Sequence, residues 1–218
     1  MNKEDNFKEK FKQALISTIK VISEDYKQDN IKKNVSSKNI NFFELDNLNT
    51  KQDIIRYRAE GDSEALKKKF SNKKIYQKNL PHNSSCKSLY DMSEKIRYEL
   101  LGSKMLKGIS KNLNENYNHK IILKRKDQLK SKEDVSAAEA FELYMLKNFH
   151  KIKLNHLASK MLGFWEKDFD KSIFEHIEFF EKNLEDQNIY SSKFSQILQE
   201  MDIFQSEENE EKKDENQE

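Results

Sequence analysis

One proline and four glycines among 218 residues leave this chain few helix breakers and few residues suited to tight hairpin turns. An all-β fold is disfavoured on that ground and an all-α fold is expected. The single cysteine, Cys86, cannot form an internal disulfide, and no apolar stretch of the signal-peptide kind follows Met1-Asn2-Lys3-Glu4-Asp5. A reducing, cytoplasmic setting is the expectation. No run approaches the ~18 apolar residues of a spanning helix. Even Ala137 to Phe149 is interrupted by Glu139, Glu142, Lys147 and Asn148, so no membrane contact is expected. The sequons at Asn34 and Asn83 then have no glycan to explain.

Reactive constellations are scarce too. Neither a G-x-x-x-x-G-K-[ST] nor a G-x-G-x-x-G loop occurs, and four scattered glycines cannot cradle phosphates with backbone amides. D-x-S-x-S, H-E-x-x-H and paired CxxC strings are missing as well. His82 and Cys86 could bind zinc chemically, but they flank a Pro-Asn-Ser-Ser turn, and two ligands are too few. His150 and His156, six apart, would not share a helix face, and the isolated His119 and His176 read as surface or satisfied core residues. No catalytic residue, metal ligand or bound cofactor is assigned to the chain.

What is present is charge and aromatic area. Charged residues make up 36% and hydrophobic residues 35%, so the core must be economical. Fourteen Phe and eight Tyr compensate, because each buries far more area than Ala or Val. The abundance of Lys, Asn and Ile also fits AT-rich coding, which weakens it as a sign of function. Net charge is +2, but Glu207–Glu218 holds seven acidic and two basic residues, so the body is basic and the tail acidic. Runs such as Lys67–Lys69, Lys73-Lys74 and Lys124-Arg125-Lys126 read as solvated helix faces. Nucleic-acid binding is the minor alternative, since no recognition motif accompanies them.

Periodicity outlines the helices. Phe7, Phe11, Ala14, Leu15, Thr18, Ile19 and Ile22 recur at three and four, which predicts an amphipathic helix ending near Tyr26. Residues 27–50 read as a linker, with Phe42-Phe43-Glu44-Leu45 as a short strand or docking turn. Asp53–Arg58 alternates like a short strand, and Gly61-Asp62-Ser63 offers a cap for a helix from Glu64. After the turn Leu80–Ser85, one long helix is predicted through Leu89, Met92, Ile96, Leu100, Met105, Ile109 and Leu113. Gly102 and Gly108 inside it suggest close contact with another helix, a kink, or two helices in place of one, and close packing is the favoured reading. A polar, basic stretch from Asn114 to Lys132 should precede a helix over Asp134–Phe149, started by Ser131 or Asp134. Ile173, Ile177, Phe180 and Leu184 form another helical stripe, and Phe194, Ile197, Leu198 and Met201 a last one. Residues 206–218 contain no apolar residue and are expected to be disordered. Three regions result: 1–49 (helix and linker), 50–205 (helical domain) and 206–218 (acidic tail).

Arg58-Ala59-Glu60-Gly61-Asp62 with Ala65-Leu66 resembles the R-G-E-A-D-x-x-A-L element of the CobT family, the subunit of the aerobic cobaltochelatase. Glu94–Lys104 is similar to that family's E-Q-A-R-V-E-A-I-G-S-R, and Gly108–Leu113 to its G-V-A-x-N-L. Ala138–Phe141, Phe164-Trp165 and Leu184-Glu185-Asp186-Gln187 follow in the same order, so the likeness spans roughly residues 50 to 204. Lys147-Asn148 departs from the Arg-Glu of the family. The resemblance implies a non-catalytic subunit of an ATP-dependent enzyme that inserts cobalt into hydrogenobyrinic acid a,c-diamide during cobalamin synthesis. It implies as partners a CobS-like AAA+ ATPase, which uses ATP and Mg²⁺, and a CobN-like large subunit. Family chains carry a von Willebrand A-like domain beyond the acidic linker, and none of it lies in these 218 residues. By the same resemblance, Arg58, Glu60, Asp62, Arg97, Glu99 and Ser103 are expected at a partner interface. A free-standing helical interaction module is the competing reading.

Overall fold

The computed structural model describes residues 3–24, 48–123 and 129–201, and every regular element among them is helical. The all-α expectation holds. The order is α1 (Lys3–Ser23), α2 (Lys51–Phe70), α3 (Lys73–Lys78), α4 (Ser84–Met105), α5 (Lys107–Leu123), α6 (Ala137–Asn148), α7 (His156–Gly163), α8 (Glu166–Ile173), α9 (Ile177–Lys182) and α10 (Gln187–Glu200). Short 3-10 turns lie at Lys132–Asp134 and Phe174–His176. Among the described residues no helix is long and apolar enough to cross a membrane. The expected tail, the Phe42–Leu45 turn and the Lys124–Lys126 run lie outside the described residues.

Helix α4 is the hub, packed against α2, α5, α6 and α10. Buried residues occur on all its sides, which is the pattern of a central helix rather than a surface one. Around it α2 and α5 make one layer, and α6, α8, α9 and α10 supply an aromatic core. Phe180 and Phe194 lie 4.4 Å apart, and Phe141 meets Phe169 edge-on at 5.4 Å. Offset and edge-on pairs of this kind add to the area they bury. Trp165 keeps its indole N–H satisfied by donating to the Val135 carbonyl at 2.8 Å.

Local chemistry sets where these helices begin. Asn72, Asn83 and Asn155 each accept backbone N–H bonds as the N-caps of α3, α4 and α7, and Ser136 and Asp186 cap α6 and α10. Asparagines that look like codon bias therefore hold structural positions.

Several expectations need correction. Asp53–Arg58 is not a strand but lies within α2, which starts at Lys51 rather than Glu64. Thr50 and Asp53 form its capping box, and Ile54, Tyr57, Gly61 and Ala65 supply its inward stripe. Asp62 is therefore no cap, since it sits mid-helix and buried. The single helix drawn from Leu89 to Leu113 is two, separated at Leu106, whose backbone is extended. Gly102 is a point of close packing, but a Cβ on Gly108 would meet nothing within 4 Å. The polar stretch after Asn114 is helical as far as Leu123, because Asn116, Tyr117 and Ile121 turn inward. Ser136 starts α6, while Ser131 and Asp134 close the preceding 3-10 turn. The stripe from Ile173 to Leu184 is broken by the turn at Phe174–His176.

The first helix ends at Ser23, close to the expectation, and rests on α2 through Leu15, Ile19 and Ile22. Gly61 makes that approach possible, because a Cβ there would lie 2.8 Å from Leu15 Cδ1 and 3.3 Å from Ile19 Cδ1. Gly61→Val should lift α1 from α2 while the rest of the molecule stays folded. Hydrogen exchange would then show α1 amides losing protection and α4 amides keeping theirs. Equal loss in both helices would refute this.

Candidate functional site

Helix α4 is enclosed along most of Ser93–Gly102, so the polar side chains buried there must find partners inside. They do so in two networks, and both contain residues of the family-like motifs.

The first network joins α4 to α10 and to the end of α2. Arg97 is only 1% exposed. It donates to the carbonyls of Phe70 at 2.7 Å and Leu184 at 3.0 Å, and it lies 3.5 Å from Glu94 Oε2. Its charge thus meets the carbonyl end of α2, where a cation is favoured by the helix dipole. Glu94 in turn accepts Ser191 Oγ at 2.6 Å and Gln187 Nε2 at 2.9 Å. Gln187 Oε1 completes the circuit by accepting the Asn72 backbone N–H at 2.6 Å. The E-x-x-R of α4 and the E-D-Q that opens α10 are therefore two halves of one joint.

The second network lies between α2, α4, α5 and the residues after α6. Glu99, 1% exposed, accepts Ser63 Oγ at 2.6 Å and Tyr117 Oη at 2.5 Å. Lys95 Nζ stands 3.9 Å from one of its oxygens and His150 Nε2 3.6 Å from the other. Burial, and then Glu99 beside it, pushes the Tyr117 phenol well above its ordinary range. Burial likewise pulls His150 down; Glu99 opposes that shift and Lys95 adds to it. A cavity of about 150 Å³ opens beside the network, bordered by Glu60, Glu64, Lys95 and Lys120.

The downward shift of His150 has a definite sign in stability. The folded state holds the imidazole neutral to a lower pH than the unfolded chain, whose histidine titrates near 6.5. Below that pH the unfolded state binds the extra proton, so stability falls as pH drops from about 6.5 towards the folded value. One such proton contributes at most about 1.4 kcal/mol per pH unit. Urea titrations between about pH 7 and 5 should show this slope, and His150→Phe should flatten it. An unchanged slope in the variant would assign it to other groups.

The six residues expected at an interface separate into two groups. Arg58 is exposed and Glu60 half-buried at the cavity edge. Ser103 is partly buried, with its hydroxyl oxygen enclosed. Asp62, Arg97 and Glu99 are interior. Asp62 accepts Asn112 Nδ2 at 2.7 Å, and burial raises its pKa. These three hold helices together, so their charges are not offered to a partner. Ser63, Gln187 and His150 were not singled out from sequence. Gln187 was within reach, as the last residue of the E-D-Q motif, whereas nothing local marks His150.

Ser63 donates to Glu99, which also accepts Tyr117 Oη, and Cys86 is buried with its thiol 3.4 Å from the Leu198 carbonyl. His82 lies exposed on the turn before α4, whereas Cys86 is buried. Among the described residues no three His, Cys, Asp or Glu side chains converge as metal ligands. The arrangement is suited to holding shape. A family model described as "Cobalamin biosynthesis protein CobT" matches residues 5–218, a span that includes all but the first two residues of α1. No solved structure matches the chain.

Proposed function

The chain belongs to the CobT family of cobalamin biosynthesis proteins, and from that premise we propose that it is a cytoplasmic assembly subunit of an ATP-dependent cobaltochelatase. The complex inserts cobalt, its substrate ion, into hydrogenobyrinic acid a,c-diamide. A CobS-like AAA+ subunit handles ATP and Mg²⁺, and a CobN-like subunit holds the macrocycle. Neither nucleotide nor Mg²⁺ is assigned to this chain, because its donor groups do not fit them: glycine loops are lacking from the sequence, and the described carboxylates are dispersed or tied to neighbouring side chains.

The observation that supports this reading is the internal use of the motif charges. Glu94, Arg97, Glu99 and Gln187 lock α2, α4, α5 and α10 into a block, and such a block binds by the surface it presents. Arg58, exposed, and Glu60, half-buried, are the charged residues of the first motif left at that surface and are the proposed contact with the ATPase. The test is co-purification with the ATPase subunit of the same organism, with and without ATP and Mg²⁺. Recovery of a stable assembly, weakened by Arg58→Glu and Glu60→Lys in a chain that still folds, is the expected result. Separation under every condition would overturn the reading. Charge reversal at Asp62 is unsuitable for this purpose, because it would place a lysine in the interior.

A further inference from the structure

Between Ala65 and Tyr90 the chain carries seven lysines and no acidic residue. Lys69 is held by Glu24 at 2.6 Å. Lys67, Lys73, Lys74, Lys78 and Lys87 are exposed and make no ion pair among the described residues. Some surface cations elsewhere find partners, as in Lys147–Glu166 at 2.5 Å, Lys132–Asp168 at 2.7 Å and Lys182–Glu178 at 2.6 Å. Of the acids on neighbouring elements, Asp91 accepts the Tyr76 hydroxyl, Asp186 caps α10, and Glu185 is exposed.

The fold gains little from this concentration. Lys73 and Lys74 occupy the first turn of α3, the end of a helix dipole where a cation is unfavourable. Helix α3 buries no residue, so its lysines cover no core. A set of like charges kept together against local preference is the feature of an anion-binding face.

We propose that this face docks the chain's own acidic run, Glu207–Glu218, which holds seven acids and two lysines. The exit of α10 gives the reach. Helix α10 packs along α3, and its Leu198 carbonyl lies 3.4 Å from Cys86 Sγ in the first turn of α4. Met201, buried one residue beyond α10, therefore stands near the turn that joins α3 to α4. Six residue steps from Met201 to Glu207 extend up to about 20 Å, and α3 is only about 9 Å long. The acidic run thus comes within reach of the whole lysine face. Opposite charges at that range attract strongly in low salt and are screened beyond about 10 Å at 0.1 M. The bound run would cover the face and hold it from other polyanions. This contact does not depend on the chelatase reading.

Zero-length carbodiimide cross-linking of the full chain, mapped by mass spectrometry, tests it. Cross-links from the acidic run should concentrate on Lys67, Lys73, Lys74, Lys78 and Lys87 at about 0.05 M salt and fall roughly fivefold or more at about 0.5 M. Mixing isotopically light and heavy chains should show them within one copy. A Lys73→Gln, Lys74→Gln, Lys78→Gln chain, which loses no internal contact, should keep its circular dichroism and also lose the cross-links to the unchanged Lys67 and Lys87. Spread over surface lysines such as Lys104, Lys107 and Lys111 in proportion to their number would overturn the proposal, as would cross-links only between copies. Tight binding of single-stranded nucleic acid by the same lysines with the acidic run intact would assign the face to that ligand instead.

Discussion

Arg97→Met should cost about 3–5 kcal/mol of stability, because it removes one partner of a buried ion pair and leaves the other in place. Glu94 would keep Ser191 and Gln187 as donors but lose its only positive neighbour within 4 Å among the described residues. The Phe70 and Leu184 carbonyls would lose their donor at the same time. Urea denaturation followed by circular dichroism measures the loss. Glu94→Gln in the same background should restore part of it, since the stranded charge is then gone, and the double variant should be more stable than the sum of the singles. Strict additivity would mean that the two groups act independently, contrary to the geometry.

The second large effect belongs to Gly102. An alanine there ordinarily gains about 1 kcal/mol of helix propensity. Here the new methyl would lie 2.4 Å from both Leu66 Cδ atoms and 2.9 Å from Cγ, and Leu66 is fully buried. Overpacking of this kind costs about 1–3 kcal/mol or more, so a net loss of about 2 kcal/mol is expected. Leu66→Ala alone should cost about 2–5 kcal/mol through its cavity. In that background Gly102→Ala should change sign and stabilise, as the methyl then has room. A loss of the same size in both backgrounds would show that the clash lies elsewhere.

Much of the fold was legible because α1, α4 and α10 carry apolar residues at helical spacing, and that spacing survives any tertiary context. Helix α2 was misread for a physical reason. Ile54-Ile55 next to Tyr57 gives local alternation, and the Thr50–Asp53 box that marks its true start precedes the motif that drew notice. The break at Leu106 is flanked by Gly102 and Gly108, which raised a division into two helices as one alternative, but its place carries neither proline nor glycine.

The site was legible by kind more than by role. Arg97 and Glu99 stood out through the family-like motif, and the membership is borne out over residues 5–218. Their burial was not visible, because it is imposed by residues 87 positions away in one case and 36 in the other. His150 had no local mark, since its neighbours Glu99 and Tyr117 come from α4 and α5.

The joint around Glu94 also imposes an order on biosynthesis. Gln187 and Ser191, the donors that make burial of Glu94 tolerable, are added 93 and 97 residues after it. A ribosome therefore releases the hub helix long before its charges can be enclosed. Until α10 emerges, that end of α4 must stay hydrated, and the layers on either side of it cannot close. Nascent chains stalled before Gln187 should stay protease-sensitive across α4, and protection should arrive in one step once Ser191 has cleared the exit tunnel.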